Sequence, residues 1–339
     1  MFHHRFSLFY IALITCSVSL TTSSCGSRHG AERVLKLAHG LDPGHSVHIA
    51  MEFMGKRMDE LSGGKMKLDI YPSGQLGSEP QCIELLQLGS LALTKVSSGT
   101  LEGFADPFRL FGLPYLFRSK EHLHKVLDGE IGEQLLLSME PYLIRGLGYY
   151  DSGARSFYTT SKPILKPEDL TGLKIRVMRS PLTIEMMQRF NGSATPINWG
   201  ELYTALQSGV VDGAENNSPS FVLSHHHEVC KHYSLNEHTM LPDIIVISRR
   251  VWEDLSEQEQ GWLMAALKES VKYQRELWEI SEKDCLEEAI KSGVKIYYPD
   301  KAPFIEQVKP MYEGFRKFPE VYPFIAKIVN TLPEEEVTP

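Results

Sequence analysis

Arg176 is the residue in this sequence best suited to hold an anion. A guanidinium presents a planar fork of N–H donors that meets a carboxylate with two parallel bonds, which an ammonium cannot do. The chain as a whole is acidic, with a formal net charge of −8, so an anion site here must be a local basic pocket. The same balance excludes a nucleic-acid partner, whose phosphates require a dense Lys/Arg face. The commoner fate of such an arginine is a surface pair with an acidic neighbour, and only its context decides between the two. His225-His226-His227, followed by Glu228 and His232, is the other cluster that invites chemistry. A zinc-protease pair needs histidines four apart on one helical face, whereas His227 and His232 are five apart. A solvated, His-rich helix start is the expectation there. GxSxG, P-loop and GxGxxG patterns are all missing from the sequence.

The elements that must position Arg176 lie between Leu170 and Asn217. Lys174–Val177 alternates as a short strand, and strand ends are where α/β folds present side chains to ligands. Pro181 opens a helix with Leu182, Ile184, Met186, Met187 and Phe190 on its apolar side, ended by Asn191-Gly192. A second helix is predicted from about Trp199 to Gln207. After Ser208-Gly209 a strand returns and delivers Asp212, Gly213, Glu215 and Asn216. The alternation of strand and helix is α/β architecture.

This stretch resembles the substrate-binding protein of a tripartite ATP-independent periplasmic (TRAP) transporter, of the dicarboxylate and sugar-acid receptor type. The matching residues run Gly172-Leu173-Lys174-Ile175-Arg176-Val177, then Trp199-Gly200-Glu201-Leu202-Tyr203-Thr204-Ala205-Leu206-Gln207, then Val211-Asp212-Gly213-Ala214-Glu215-Asn216. Gly74-Gln75-Leu76-Gly77 and Leu113-Pro114-Tyr115-Leu116-Phe117 extend the resemblance over roughly the whole chain after residue 33. It implies a two-domain periplasmic-binding-protein-like fold with the ligand cleft between the domains. It further implies that Arg176 clamps a ligand carboxylate and that Arg155 supplies a second cation, with no metal or cofactor. By the same resemblance Trp199 covers the apolar face of the ligand and Asn216 offers donor and acceptor, with core packing the alternative for Trp199. The implied partners are a small-molecule carboxylate and the membrane permease subunits.

In the first domain Glu79, His39 and Ser97 are candidates for the same site, each equally open to a structural role. Glu79 bears on specificity, because a fixed carboxylate accepts from hydroxyls yet repels a second ligand carboxylate. It therefore favours a hexuronate or related sugar acid over a plain dicarboxylate. Lys95, in Thr94-Lys95-Val96-Ser97, either faces the cleft or neutralises a neighbour. Two rival readings remain: an exported hydrolase or lyase using Glu79 and a histidine, and a ligand-sensing lipoprotein.

The chain is 339 residues long, with 42% apolar and 23% charged residues, enough for two ordinary globular domains. Residues 1–25 read as a signal peptide, since Phe6 to Leu20 has secretory rather than membrane-spanning length. Small residues before Cys25 make it a candidate lipid-bearing residue, with ordinary cleavage nearby as the alternative. The expected location is periplasmic, with or without a lipid anchor. Cys82, Cys230 and Cys285 show no metal spacing and read as buried free thiols.

In chain order, a βαβ unit is expected from Val34 to Tyr71, then a helix from Glu79 and a strand from Leu91 to Val96. Helical segments follow at about 119–128 and 130–144, then short strands on either side of Ser152-Gly153. The apolar run Met240–Ser248 should return to the first domain. Ser256 with Glu259 forms a capping box, opening a helix to about residue 292, roughly 50 Å long and able to brace both domains. The expected boundaries are 33–153 with 242–281 for the first domain, and 154–241 with 282–330 for the second.

Overall fold

The computed structural model describes residues 33–331; the expected signal peptide and Cys25 lie outside the described residues. The first strand β1 (Arg33–Ala38) runs into the helix Ser46–Ser62, which buries Val47, Ala50, Met51, Met54 and Met58 on one side. Gly63 stops that helix in the left-handed region, at φ 63°, where the lack of a Cβ removes the steric penalty. The chain returns as β2 (Met66–Tyr71), paired in parallel with β1, which completes the βαβ unit.

Two mixed sheets organise the described residues. The first has the order β2-β1-β3-β10-β4, with β3 at Leu93–Ser97, β4 at Ile144–Tyr150 and β10 at Asp243–Ser248. The second has the order β11-β9-β5-β8-β6-β7. Its strands are β5 (Arg155–Thr159), β6 (Lys174–Val177), β7 (Ser193–Pro196), β8 (Gly213–Asn216), β9 (His232–Thr239) and β11 (Lys295–Tyr297). β10 is buried along its whole length and lies antiparallel between β3 and β4, so the apolar run Met240–Ser248 does return the chain to the first sheet.

The long helix Glu257–Lys291 ties the two halves together. Ser256 and Glu259 cap it reciprocally, the Ser256 N–H donating to the Glu259 carboxylate at 2.8 Å. Its first half packs on the helix Ser46–Ser62 and on β4, and its second half on the helix Ser218–Leu223. Two buried polar residues fix its register. Ser270 donates to the Ala50 carbonyl at 2.7 Å, and Gln274 brackets the backbone of Asp151, accepting from its N–H at 2.8 Å and donating to its carbonyl at 2.9 Å. The crossover from β4 to β5 is therefore pinned four residues before Arg155.

One apolar cluster runs continuously from the first half to the second, joining Val96, Phe108 and Phe111 to Ile175, Met186 and Phe190. Glu102 is buried beside it and accepts from the Ser180 hydroxyl at 2.8 Å. Burial pushes the Glu102 carboxyl up to about 8, with Ser180 pulling the other way. Cys82, Cys230 and Cys285 are free and buried.

Two helices differ from expectation. The segment 130–144 stops being helical at Leu137, because Pro141 sits where a continuing helix would need an N–H. Leu143 then turns in the left-handed region into β4. The helix expected from Trp199 opens as a single tight turn, Trp199–Glu201, and becomes α-helical only over Leu202–Gln207.

Candidate functional site

Between the two sheets lies a cavity of about 520 Å³, and Arg176, Arg155, Asn216, Trp199, Glu79, Ser97 and Lys95 all line it. Arg176 comes from β6, an interior strand flanked by β7 and β8, so only Lys174 of that strand is exposed. The Arg176 Nε donates to the Ile197 carbonyl at 2.8 Å, and its Cζ lies 5.7 Å from the centre of the Trp199 ring. Its Nη1 is buried with no hydrogen-bond partner, and among the described residues no carboxylate pairs with it. Burial lowers its pKa, though an arginine stays charged throughout the physiological range. An unpaired buried charge costs several kcal/mol, which an anion entering the cavity would offset.

Arg155, on β5 and so separated from Arg176 by β8, is in a different state. Its Nε donates to Glu215 Oε2 at 2.6 Å and its Nη2 to Oε1 at 2.9 Å, with a further bond to the Glu215 carbonyl at 2.8 Å. Its Nη1 donates to Asn216 Oδ1 at 2.8 Å. The second cation expected from the resemblance is thus at the cavity, but it is already neutralised by Glu215, and it in turn holds Asn216 in place. Although burial opposes ionisation, Arg155 draws the Glu215 carboxyl down to about 2. Asn216 Oδ1 also accepts from the Asn217 N–H at 2.9 Å, which leaves its Nδ2 as the donor available to a ligand. The Asn217 side chain points away and donates to the Ser152 carbonyl at 2.8 Å.

The facing wall carries a charge triad in which Lys95 and Asp243 are buried and Glu79 is half-buried. Lys95 Nζ donates to Glu79 Oε1 at 3.1 Å and to Asp243 Oδ1 at 3.2 Å. Burial alone would lower the Lys95 pKa, but the two carboxylates outweigh it and hold it at about 12. Glu79 also accepts from Thr100 Oγ1 at 2.5 Å and from the Ser97 N–H at 3.3 Å. Burial opposes its ionisation, yet Lys95 and these donors keep it below the usual carboxylate range. Lys95 thus both faces the cleft and neutralises its neighbours, and Ser97 orients Glu79 through its backbone.

His39 does not line the cavity. Its Nδ1 accepts from the Leu41 N–H at 3.1 Å and its Nε2 meets His48 Nδ1 at 2.9 Å, so one ring nitrogen is spent on the loop after β1 and the other on the helix Ser46–Ser62. From this segment Gly40, Leu41 and His45 line the cavity, so the histidine that does so is His45, six positions later. The His225-His226-His227 segment also differs from its expected solvated state. His226 is buried, donates or accepts at 2.9 Å with Tyr158, and stacks edge-on against Trp199. It forms the outer support of the cavity's indole wall.

Asp243, Thr100, Met178 and Trp278 line the cavity without having been singled out from sequence. Asp243 carried a usable signal: a lone carboxylate in the apolar run Met240–Ser248 must be buried, and a buried charge requires a partner. Trp278 carried none, because nothing local tells which face of a 35-residue helix meets the cavity.

Residues 37–317 match the family described as bacterial extracellular solute-binding protein, family 7. The chain belongs to this family. A solute-binding protein from Chromohalobacter salexigens is 34% identical over 84% of this chain and 86% of its own length. The crystal structure of a TRAP periplasmic solute-binding protein from Xanthobacter autotrophicus, with bound β-D-galacturonate, is similar at 40% identity. Its TM-score is 0.86, covering 88% of this chain and all of that one. A TRAP periplasmic solute-binding protein from Anaerococcus prevotii, with bound D-glucuronate, gives 36% identity and a TM-score of 0.87 over 91% of this chain and all of its own. The two-sheet α/β arrangement with a long bracing helix is therefore that of a TRAP solute-binding protein, an extracytoplasmic family. Among the described residues no helix is long and apolar enough to cross a membrane.

Proposed function

We propose that this protein captures a hexuronate, or a closely related hydroxylated monocarboxylate, between its two sheets and delivers it to the permease subunits of a TRAP transporter. The observation that carries this reading is the charge arrangement of the cavity. Among the buried charges at the cavity, Arg176, Arg155 and Lys95 stand beside Glu215, Glu79 and Asp243, and of these three cations Arg176 alone has no carboxylate partner; Arg179 and Glu201, both exposed, line it as well. One ligand carboxylate fits that vacancy. A second would approach the opposite wall, where one lysine serves two carboxylates, and would be repelled; hydroxyls would be accepted. Closure of the two halves over the ligand then follows from its greater affinity for the closed state.

The same geometry weighs against acid–base catalysis. Glu79 is held ionised by Lys95 and Thr100, whereas an acid or base working near neutral pH needs a pKa near that value. The two structural relatives carry bound galacturonate and glucuronate, which supports the ligand class. A thermal-shift screen of the processed chain tests it, because a ligand in excess of its dissociation constant raises the melting temperature. D-glucuronate and D-galacturonate should stabilise the protein while succinate and malate leave it unchanged. Stabilisation by the dicarboxylates alone would overturn the assignment.

A further inference from the structure

His45 is the N-cap of the helix Ser46–Ser62, a position usually held by Ser, Thr, Asp or Asn. Its Nδ1 accepts from the Val47 N–H at 3.2 Å and so carries no proton. The ring is 2% exposed, and burial, with Lys95 and His48 nearby, lowers its pKa to about 3. A neutral imidazole whose Nδ1 accepts must hold its proton on Nε2. The cap therefore fixes the tautomer, and the tautomer makes Nε2 a donor. That Nε2 is buried without any hydrogen-bond partner, and the ring lines the same cavity as Arg176.

Buried donors are almost always satisfied, so an orphan on a cavity wall asks for an acceptor from whatever fills the cavity. A second carboxylate is a poor candidate beside Glu79 and Asp243. A hydroxyl or ring oxygen, which is neutral and accepts, is the group that fits. Arg176 belongs to the second sheet, and His45 to the helix packed on the first. A sugar acid reaching both would join the two halves, with its carboxylate on one and an oxygen of its polyol on the other.

We propose that His45 is a specificity-determining residue that reads an oxygen of the ligand's polyol portion through Nε2–H, while its Nδ1 serves the helix cap. This rests on the sugar-acid reading above. It divides one side chain into two separable roles, which the two amide isosteres can separate. Asparagine places an acceptor where Nδ1 stands but does not reach Nε2; glutamine places a donor near Nε2 but leaves the cap.

The experiment measures D-galacturonate and D-glucuronate affinity by titration calorimetry, and melting temperature without ligand, for the wild type, His45→Asn and His45→Gln. The expected result is that His45→Asn melts like the wild type yet binds about tenfold more weakly, the loss of one hydrogen bond. His45→Gln should melt lower yet keep most of the affinity. Full affinity in His45→Asn, or loss that follows melting temperature in both variants, would show a purely structural role and overturn the proposal. Failure of the wild type to bind either uronate would instead sink the sugar-acid reading on which the proposal rests.

Discussion

Arg155 and Glu215 lock together across the adjacent antiparallel strands β5 and β8, with Nε to Oε2 at 2.6 Å and Nη2 to Oε1 at 2.9 Å. His238 meets the same carboxylate oxygen from β9 at 3.3 Å. The pair sits beside the cavity and makes Arg155 a fixed frame for Asn216. Arg176, one strand further on, is left as the buried cation at the cavity without a carboxylate partner.

Removing one partner of such a pair leaves the other charge buried. Glu215→Gln should therefore lower stability by about 3–5 kcal/mol, since an uncompensated buried charge remains. Urea unfolding of the empty protein checks this. The same variant should also bind a dicarboxylate better than the wild type does, because Arg155 then becomes a second unpaired cation.

Glu79 is expected to discriminate by charge. In Glu79→Gln, Lys95 keeps Asp243 as its partner, so the wall loses its net negative charge. Succinate or malate, silent with the wild type, should then bind measurably, and the uronates should lose about tenfold or less, the value of one hydrogen bond. Competition titration against D-glucuronate measures both effects. Unchanged rejection of dicarboxylates would place the discrimination in cavity shape rather than charge.

Stability should have both an acidic and an alkaline limb. His39, His45 and His226 are each lowered by burial from 6.5 to about 3, so the unfolded chain binds protons that the folded chain does not. Their contribution is complete above 6.5 and is lost as pH falls towards 3, by up to about 1.4 kcal/mol per pH unit for each histidine. Glu102 works in the opposite sense, because burial raises it from 4.5 to about 8. Its contribution is complete below 4.5 and is lost as pH rises through 8. Glu102→Gln, which mimics the protonated carboxyl, should flatten the alkaline limb alone in melting curves from pH 4 to pH 9.

The sequence pattern was most legible where burial is periodic. β10 could be read from its unbroken apolar run, and the long helix from its capping box and the lack of an internal proline. Arg176 was singled out through the resemblance carried by Gly172 to Val177, because its residue type alone left a surface ion pair as the commoner outcome. Arg155 lines the cavity, but its pairing with Glu215 was not legible, because that partner is 60 residues distant and nothing local announces a strand pairing. His39 was named and His45 was not for a similar reason: which of two histidines in one segment faces the cavity depends on the turn at Asp42-Pro43-Gly44. His226 was assigned to solvent because three consecutive polar residues suggest a surface, whereas Tyr158 and Trp199 enclose it.

The central claim is that Arg176 clamps the ligand carboxylate, and calorimetric titration of Arg176→Lys with D-galacturonate tests it most directly. Lysine keeps the charge but cannot make two parallel bonds. The account predicts an affinity at least about thirtyfold weaker than the wild type. It also predicts an empty protein that melts only slightly lower, since Arg176 has no carboxylate to lose and gives up only its Nε bond to the Ile197 carbonyl. Unchanged affinity in a folded Arg176→Lys variant would contradict the account.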